Sequence, residues 1–281
     1  MLLLVDLDGV VYRGADPVPG VAALLAERAA AGDDVVYVTN NSMHYRADYV
    51  TRLAALGAPV TADRVVSAPR ATALYLVEQE PGIRRVLTIG ASGLDRELRD
   101  VGLEVVSAAH VAERMAKEGL DGWAAAGHPG AVVAGLDPQL TYLRIAAAAD
   151  CVRAGARFIA TNRDPIYPSE RGLRPGAGSV IAAIEVASGV SPLVIGKPEP
   201  LLMVEAARAV GADPRGAIVI GDNLVTDIAA ARAVGARSIL MLTGVTSRAE
   251  AEALPSDRQP TAIAANAAEL AVVLEAFAAR R

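Results

Sequence analysis

Two carboxylates stand one residue apart near the start of the chain, in "DLDGVVYRG" (residues 6–14), directly after the apolar run "MLLLV". Asp6 and Asp8 repel each other, and burying two like charges is unfavourable unless a cation or hydrogen-bond donors compensate. An Asp-Gly pair between apolar runs also predicts the two-residue turn of a β-hairpin. A cation site is the alternative, and it requires partners elsewhere in the chain.

Three further segments carry residue types that could complete a cation site. They are "VTNNS" (38–42), "IGKPEP" (195–200) and "GDNLVTD" (221–227). Mg²⁺ typically takes one or two carboxylates in a protein site, together with waters and a phosphate oxygen. The Thr39 hydroxyl and the asparagine amides can donate to phosphate oxygens, and the Lys197 ammonium can bridge a carboxylate and a phosphoryl group. This combination is typical of phosphoryl transfer, which is catalysed by positioning and charge neutralisation.

The elements that must position these residues alternate along the chain. Apolar runs predict strands at "LLLVDLD", "VVYVTN", "RVLTIGA", "AVVAGL", "RFIATN", "LVIGKP", "AIVIGDN" and "SILMLTG". Amphipathic, alanine-rich stretches between them predict helices at residues 20–32, 141–155 and 200–212. This alternation predicts parallel sheets covered by helices, in which ligands bind beyond the carboxyl ends of the strands. Four predicted strands end in polar residues that favour one shared site, namely Asp6, Thr39, Lys197 and Asp222.

Composition and charge exclude several classes of partner. The chain has 281 residues and a net charge of −5, which argues against a nucleic-acid partner because such proteins present a basic face. The single cysteine, Cys151, cannot form an internal disulfide and indicates a reducing compartment. No apolar stretch approaches the roughly 20 residues that span a bilayer, and "MLLLV" is too short for a signal peptide. We therefore expect a cytoplasmic protein that binds neither nucleic acid nor membrane.

The motifs "DLDGV", "TNN", "GKP" and "GDNLVTD" resemble, in this order, the four motifs of the haloacid dehalogenase (HAD) superfamily of phosphatases. Together with "GKPEP", the segment "TNRDPIYPSERGLRPGAGS" (161–179) is most similar to the class IIA cap subgroup. That subgroup includes 4-nitrophenylphosphatase-like, phosphoglycolate, glycerol phosphate and pyridoxal phosphate phosphatases. The resemblance implies an α/β fold, with a Rossmann-like, doubly wound parallel sheet as the catalytic core at 1–76 and 182–281. An inserted α/β cap that selects the substrate is expected at 77–181.

The resemblance also implies a role for each motif residue. Asp6 is expected to attack phosphorus and form an aspartyl-phosphate, while Asp8 protonates the leaving alkoxide and then activates water. The expected Mg²⁺ ligands are Asp6, Asp222 and the backbone carbonyl of Asp8. The expected phosphate-binding residues are Thr39, Asn40, Asn41 and Lys197. Asp227 and Asn223 are expected to support the metal or the lysine.

In the cap, the resemblance implies that Tyr167 and Pro168 contact the substrate, which is expected to be a small phosphate monoester. The pyridoxal phosphate phosphatases carry a histidine in place of Tyr167, and an ordinary packed aromatic is the alternative for this residue. Arg163 and Arg171 either meet a substrate carboxylate or are solvated. Relatives that dimerise through their caps make a homodimer a further expectation.

Two other function classes use similar residue types. A receiver-like signalling module also combines an acidic pair, a threonine and a lysine with Mg²⁺, and a catalytically silent metabolite-binding protein would keep the fold alone. Asp8 argues against the receiver, which needs no acid for a leaving group, and against dehalogenation, because halide needs no proton.

Near the second motif, Arg46 is a better candidate than His44 for reaching a phosphate.

Overall fold

The computed structural model describes residues 1–169 and 172–279. The chain divides into two compact units. The first unit comprises Met1–Thr39, Ala47–Ser67 and Lys197–Arg281, and the second comprises Asn40–Arg46 and Ala68–Gly196.

Strands and helices alternate along the chain. The strands begin with β1 Leu2–Asp6, β2 Tyr12–Arg13, β3 Asp16–Pro17, β4 Asp34–Thr39, β5 Val65–Ser67, β6 Arg85–Ile89, β7 Glu104–Ser107 and β8 Ala131–Ala134. They continue with β9 Arg157–Ala160, β10 Ile166–Ser169, β11 Gly172–Pro175, β12 Leu193–Val194, β13 Ala217–Gly221, β14 Arg237–Met241 and β15 Ala262–Ala264. The helices begin with α1 Val21–Ala30, α2 Arg46–Ala55, α3 Ala68–Gln79, α4 Ser92–Asp100, α5 Ala108–Glu118 and α6 Tyr142–Arg153. They continue with α7 Ala177–Ser188, α8 Leu201–Arg208, α9 Ala229–Ala233, α10 Arg248–Glu252 and α11 Ala267–Ala278.

The first unit is built on a six-stranded sheet in the order β15-β14-β13-β1-β4-β5, with all neighbours parallel. Strand β1 lies inside this sheet and all five of its residues are buried, as expected of a parallel strand covered on both faces. Its side chains join a core that includes Leu3, Tyr37, Ile220 and Leu274. The continuous apolar run at the start of the sequence therefore becomes a central strand.

The short hairpin near the start of the chain follows Asp8 and does not include β1. In the described residues, β1 pairs in parallel with β13 and β4, so Asp8 and Gly9 do not form the turn of a hairpin that begins with β1. A separate antiparallel pair joins β2 to β3, with Tyr12 opposite Pro17. The hairpin interpretation of the Asp-Gly pair is therefore wrong.

The second unit has its own five-stranded parallel sheet, in the order β12-β9-β8-β6-β7. Its core includes Leu87, Val132, Phe158 and the buried thiol of Cys151. An antiparallel pair, β10 and β11, belongs to the same unit. Two parallel sheets with intervening helices confirm the predicted α/β class.

The eight predicted strands are present as β1, β4, β6, β8, β9, β12, β13 and β14, and the three predicted helices as α1, α6 and α8. Strands β5, β7 and β15 were not predicted. Each has only three or four residues and lies at the edge of its sheet. The hydrophobic pattern of such a strand is weak.

The division of the chain differs from the predicted boundaries at 76/77 and 181/182, which fall inside α3 and α7. Both helices lie in the second unit, where α3 packs on α4 and α7 packs on α6. Strand β12 pairs with β9 and extends the second unit to Gly196. The assignment of the two units as catalytic core and cap stays a prediction.

Among the described residues, none of the helices combines the length and apolar character that a membrane crossing requires.

Candidate active site

Three predicted site residues lie at the carboxyl ends of neighbouring strands in the first sheet. Asp6 ends β1, Thr39 ends β4, and Asp222 directly follows β13. Strand β1 pairs with both of the other strands, so the three residues share one edge of the sheet. Their exposed fractions are only 5–7%. The topology thus explains the position of these residues, as expected for an open parallel sheet.

Lys197 also contacts this site, but it does not follow a strand of the first sheet. It follows β12 along the chain, and β12 belongs to the second sheet and not to the sheet that contains β1. Lys197 is 3% exposed, and its Nζ atom lies 2.5 Å from Asp6 Oδ1 and 2.6 Å from Asp227 Oδ1. The ammonium group therefore bridges two buried carboxylates of the first unit.

Asp227 is held by the turn that contains it. A π-helical segment, Leu224–Ile228, begins after Asn223, whose side-chain oxygen accepts hydrogen bonds from the backbone N–H groups of Val225 and Thr226. The Asn223 N–H donates to Asp227 Oδ2 at 3.1 Å, while Lys197 donates to Oδ1. Both oxygens of Asp227 accept hydrogen bonds, which fits the expected role as support for Lys197.

A loop that the sequence analysis did not single out holds Asp222. The backbone N–H of Val245 donates to Asp222 Oδ2 at 2.8 Å. In the same loop, the Thr243 hydroxyl donates to the carbonyl of Gly9 at 2.6 Å. The only sequence signal for this loop was the polar Thr243 near the end of the predicted strand "SILMLTG".

The acidic cluster has the donor set of a site for a hard divalent cation. One carboxylate oxygen each from Asp6, Asp222 and Asp227 lie within 4.8 Å of one another. Burial, followed by repulsion from Asp227, raises the pKa of Asp222 to about 6. Burial alone would lower the pKa of Lys197, but the Asp227 and Asp6 carboxylates raise it above its usual value. Three buried carboxylates thus face one ammonium, and a divalent cation would balance the excess negative charge.

Asp8 lies apart from this cluster of buried carboxylates. Its side chain is exposed, and its backbone forms an isolated bridge with Tyr12. The guanidinium of Arg52 stacks 3.4 Å from the centre of the Tyr12 ring and donates to the carbonyl of Gly14. An exposed carboxylate on a braced segment fits proton transfer better than metal coordination through its side chain.

Among the residues predicted around the second motif, Asn40, Asn41 and Arg46 belong to the second unit, whereas Thr39 belongs to the first. The Asn40 amide nitrogen donates to both oxygens of Asp164, and the Asn41 side-chain oxygen accepts from the N–H of Met43 at 2.9 Å. Arg46 forms ion pairs with Asp100 at 2.6 Å and with Glu97 at 3.4 Å. These ion pairs do not support the expectation that Arg46 reaches a phosphate.

The predicted substrate-contacting residues lie in β10. Tyr167 is half-buried and pairs with Arg174 of β11, and Pro168 is the next residue of the same strand. Arg163 is 45% exposed in its side chain and forms an ion pair with Glu185. Arg171 lies outside the described residues. Substrate contact by any of these side chains stays a prediction.

Gly9 leaves no room for a side chain beside the acidic cluster. Its φ is +85°, and an added Cβ would lie 2.3 Å from Asp222 Oδ2. We expect Gly9→Ala to lower the free energy of unfolding by about 1–3 kcal/mol, because it combines backbone strain with displacement of Asp222. Urea denaturation measures this change.

Gly14→Ala is the matched control for Gly9→Ala. Gly14 also has a positive φ, +53°, but an added Cβ would meet nothing within 4 Å. We expect a smaller loss of stability from Gly14→Ala, since only backbone strain is added. Equal losses in both variants would contradict the importance of the Asp222 contact.

Comparisons with known proteins place the chain in a family. The haloacid dehalogenase-like hydrolase family matches residues 3–104, and a second, HAD-hydrolase-like family matches residues 194–270. The acid sugar phosphatase of Staphylococcus aureus is 37% identical over 244 residues, which cover 87% of each chain. This chain belongs to the haloacid dehalogenase superfamily. The prediction from the four motifs is confirmed.

Solved structures show the same likeness. The p-nitrophenyl phosphatase of Archaeoglobus fulgidus superposes with a TM-score of 0.83 at 29% identity, covering 97% of this chain and 98% of that one. The glycerol phosphate phosphatase of Mycobacterium tuberculosis, solved in complex with magnesium, has a TM-score of 0.80 at 37% identity. That match covers 96% of this chain and 75% of the other. The protein is thus a HAD-type phosphatase, a phosphomonoester hydrolase.

Proposed function

We propose that this phosphatase is Mg²⁺-dependent and hydrolyses a small phosphorylated metabolite through an aspartyl-phosphate intermediate on Asp6. The observation that carries the proposal is the buried cluster in which Lys197 bridges Asp6 and Asp227 while Asp222 lies within 4.8 Å. A nucleophilic carboxylate, a fixed cation and a second carboxylate for a metal are groups that support phosphoryl transfer through an aspartyl-phosphate.

Two steps follow from these residues. In the first, a carboxylate oxygen of Asp6 forms a bond to phosphorus while the bond to the leaving oxygen breaks, and Asp8 gives that oxygen a proton. In the second, Asp8 takes a proton from water as the water oxygen attacks phosphorus and releases Asp6. Lys197 neutralises negative charge on the phosphoryl group in both steps. Thr39, Asn40 and Asn41 are proposed to bind the phosphate.

Asp6, Asp222 and the backbone carbonyl of Asp8 are the proposed ligands of Mg²⁺. When bound, the ion supplies positive charge that orients the phosphate and lowers its repulsion toward the Asp6 carboxylate. Asp227 is proposed to act on Lys197 and not on the metal, since both of its oxygens already accept hydrogen bonds. Asn223 supports this arrangement by ordering the turn before Asp227.

The proposed substrate is a small phosphate monoester such as a sugar phosphate or a polyol phosphate. The names of two relatives, an acid sugar phosphatase and a glycerol phosphate phosphatase, support this class. Contact through Tyr167 and Pro168, a homodimer through the cap and a cytoplasmic location remain predictions. The receiver-like alternative gains no support, because the relatives named here are phosphatases.

Phosphate release from a substrate panel, with and without Mg²⁺, tests the proposal. The panel contains 4-nitrophenyl phosphate, 2-phosphoglycolate, glycerol 3-phosphate, glucose 6-phosphate, pyridoxal phosphate and nucleoside monophosphates. We expect one substrate class to lead by at least about tenfold in kcat/KM and all turnover to stop when a chelator removes the metal.

The metal requirement has its own control pair. We expect Asp222→Asn to raise the Mg²⁺ concentration needed for half-maximal activity, because it removes one proposed ligand charge. Asp257→Asn alters an exposed carboxylate and should leave that concentration unchanged. Turnover that persists in the chelator, or binding of a substrate without any phosphate release, would overturn the proposal.

A further inference from the structure

Residues 40–46 follow β4 of the first unit along the chain but belong to the second unit. They contact, in turn, the segments that follow three strands of the second sheet. Asn40 meets the segment after β9, Ser42 meets the segment after β8, and Arg46 meets helix α4, which follows β6. The strand order in that sheet is also β9, β8, β6, so the segment crosses the carboxyl ends of these strands.

Asn40 forms hydrogen bonds with two residues of the segment after β9. Its amide nitrogen donates to both carboxylate oxygens of Asp164, at 3.1 and 3.2 Å. Its backbone carbonyl accepts from the amide nitrogen of Asn162 at 2.7 Å, and Asn162 in turn accepts from the Asp164 N–H at 3.0 Å. Hydrogen bonds to a carboxylate are stronger than neutral ones. Asp164 therefore fixes the orientation of the Asn40 carboxamide.

The rest of the segment is held equally closely. Ser42 is 2% exposed, and its hydroxyl oxygen accepts a hydrogen bond from the backbone N–H of Leu136 at 2.9 Å. An added Cβ on Gly93 would lie 2.5 Å from the carbonyl oxygen of Met43, so the backbones approach without space for a side chain. The Arg46 N–H donates to the buried Glu97 at 3.0 Å. The path of residues 40–46 is thus determined by the second unit.

We propose that Asp164 is a positioning residue of this phosphatase. By holding the amide of Asn40, it determines where the Asn40 and Asn41 backbone and side chains are presented to a phosphate group. The inference rests on the proposed function, in which these two asparagines bind phosphate. It adds that the Asp164 carboxylate accepts hydrogen bonds from the Asn40 amide nitrogen. Asp164 thereby controls phosphate binding without contacting the phosphate itself.

A reciprocal exchange of the two side chains tests the role of Asp164. Asn40→Asp alone places a second carboxylate beside that of Asp164, so that the two repel each other. Asp164→Ala alone removes the carboxylate that accepts from Asn40. We expect each single variant to lower kcat/KM for 4-nitrophenyl phosphate by about 10- to 100-fold, since small displacements of binding groups have effects of this size. The inhibition constant of inorganic phosphate should rise in parallel.

The double variant Asn40→Asp, Asp164→Asn restores a donor and an acceptor in reversed positions. We expect it to recover at least about tenfold in kcat/KM over Asn40→Asp alone, which a double-mutant cycle measures. It also keeps the test decisive if Asp164→Ala fails to fold. Asp121→Ala, at an exposed carboxylate of the second unit, is the matched control and should change neither constant.

The outcomes separate positioning from a merely structural role and from failure of the proposed function. Faster hydrogen exchange in residues 40–46 with unchanged kcat/KM and phosphate inhibition would overturn the inference alone. No recovery in the double variant would overturn it as well. A wild-type protein that releases no phosphate from any substrate would overturn the proposed function, and the inference with it.

Discussion

Replacing Asp6 with asparagine is expected to abolish turnover while leaving the fold intact. The variant loses the carboxylate that attacks phosphorus, and an amide oxygen is too weak a nucleophile to replace it. We expect kcat to fall by at least about 10⁴-fold, as for other residues that form the covalent intermediate. Release of 4-nitrophenolate measures the loss, and circular dichroism measures the fold.

Two further variants make this prediction specific to the proposed roles. Asp16→Asn, at an exposed carboxylate of the short hairpin, should keep full activity. Asp8→Asn should still transfer the phosphoryl group from 4-nitrophenyl phosphate, because that leaving group is stable as an anion, but should hydrolyse the intermediate slowly. Labelled phosphate should then accumulate on the protein. Normal turnover by Asp6→Asn would exclude Asp6 as the nucleophile.

Replacing Lys197 with methionine is expected to have the largest combined effect on stability and activity. Lys197 is 3% exposed, and its ammonium group lies within hydrogen-bond distance of Asp6 and Asp227. Its removal leaves three buried carboxylates without a protein cation beside them, which we expect to lower the free energy of unfolding by about 3–5 kcal/mol. Urea denaturation in the absence of divalent ions measures this change.

The chain provides a matched control for this variant, since its sequence contains only one other lysine, Lys117. Lys117 is exposed, and Lys117→Met should change the free energy of unfolding by less than about 0.5 kcal/mol. Millimolar Mg²⁺ should restore part of the stability of Lys197→Met, because the ion balances the remaining carboxylates. Activity should stay below detection even then. Equal stability of the Lys197→Met and Lys117→Met variants would show that the bridge contributes nothing.

Much of the fold was predictable because its strands are long apolar runs in a regular alternation with helices. The runs that become β1, β4 and β13 are buried on both faces of a sheet, and this environment demands continuous apolar sequence. The edge strands and the boundaries between the two units were not predictable in the same way. Their positions depend on which helix packs on which sheet, and a local pattern does not record this.

Some features of the candidate site were likewise predictable from the sequence, and others were not. Asp6, Thr39 and Asp222 were predictable because each lies at the end of a strand, and parallel neighbours bring their carboxyl ends together. The contact between Val245 and Asp222 was not, since a backbone N–H leaves no trace in the sequence. Asn40 was predicted as a site residue, but its partner Asp164, which lies 124 residues away, was not.

By itself, the sequence determined the α/β class, because the alternation of apolar runs with helical patterns is a local signal. The resemblance of four ordered motifs indicated the superfamily, and the acidic residues follow apolar runs that are visible in the sequence. Only the tertiary structure decided that Lys197 bridges Asp6 and Asp227, and that Asp164 holds Asn40. Lys197 and Asp6 are 191 residues apart, and the chain between them passes through the second sheet. Contacts of that range depend on the tertiary fold within each unit, which spacing along the chain does not encode.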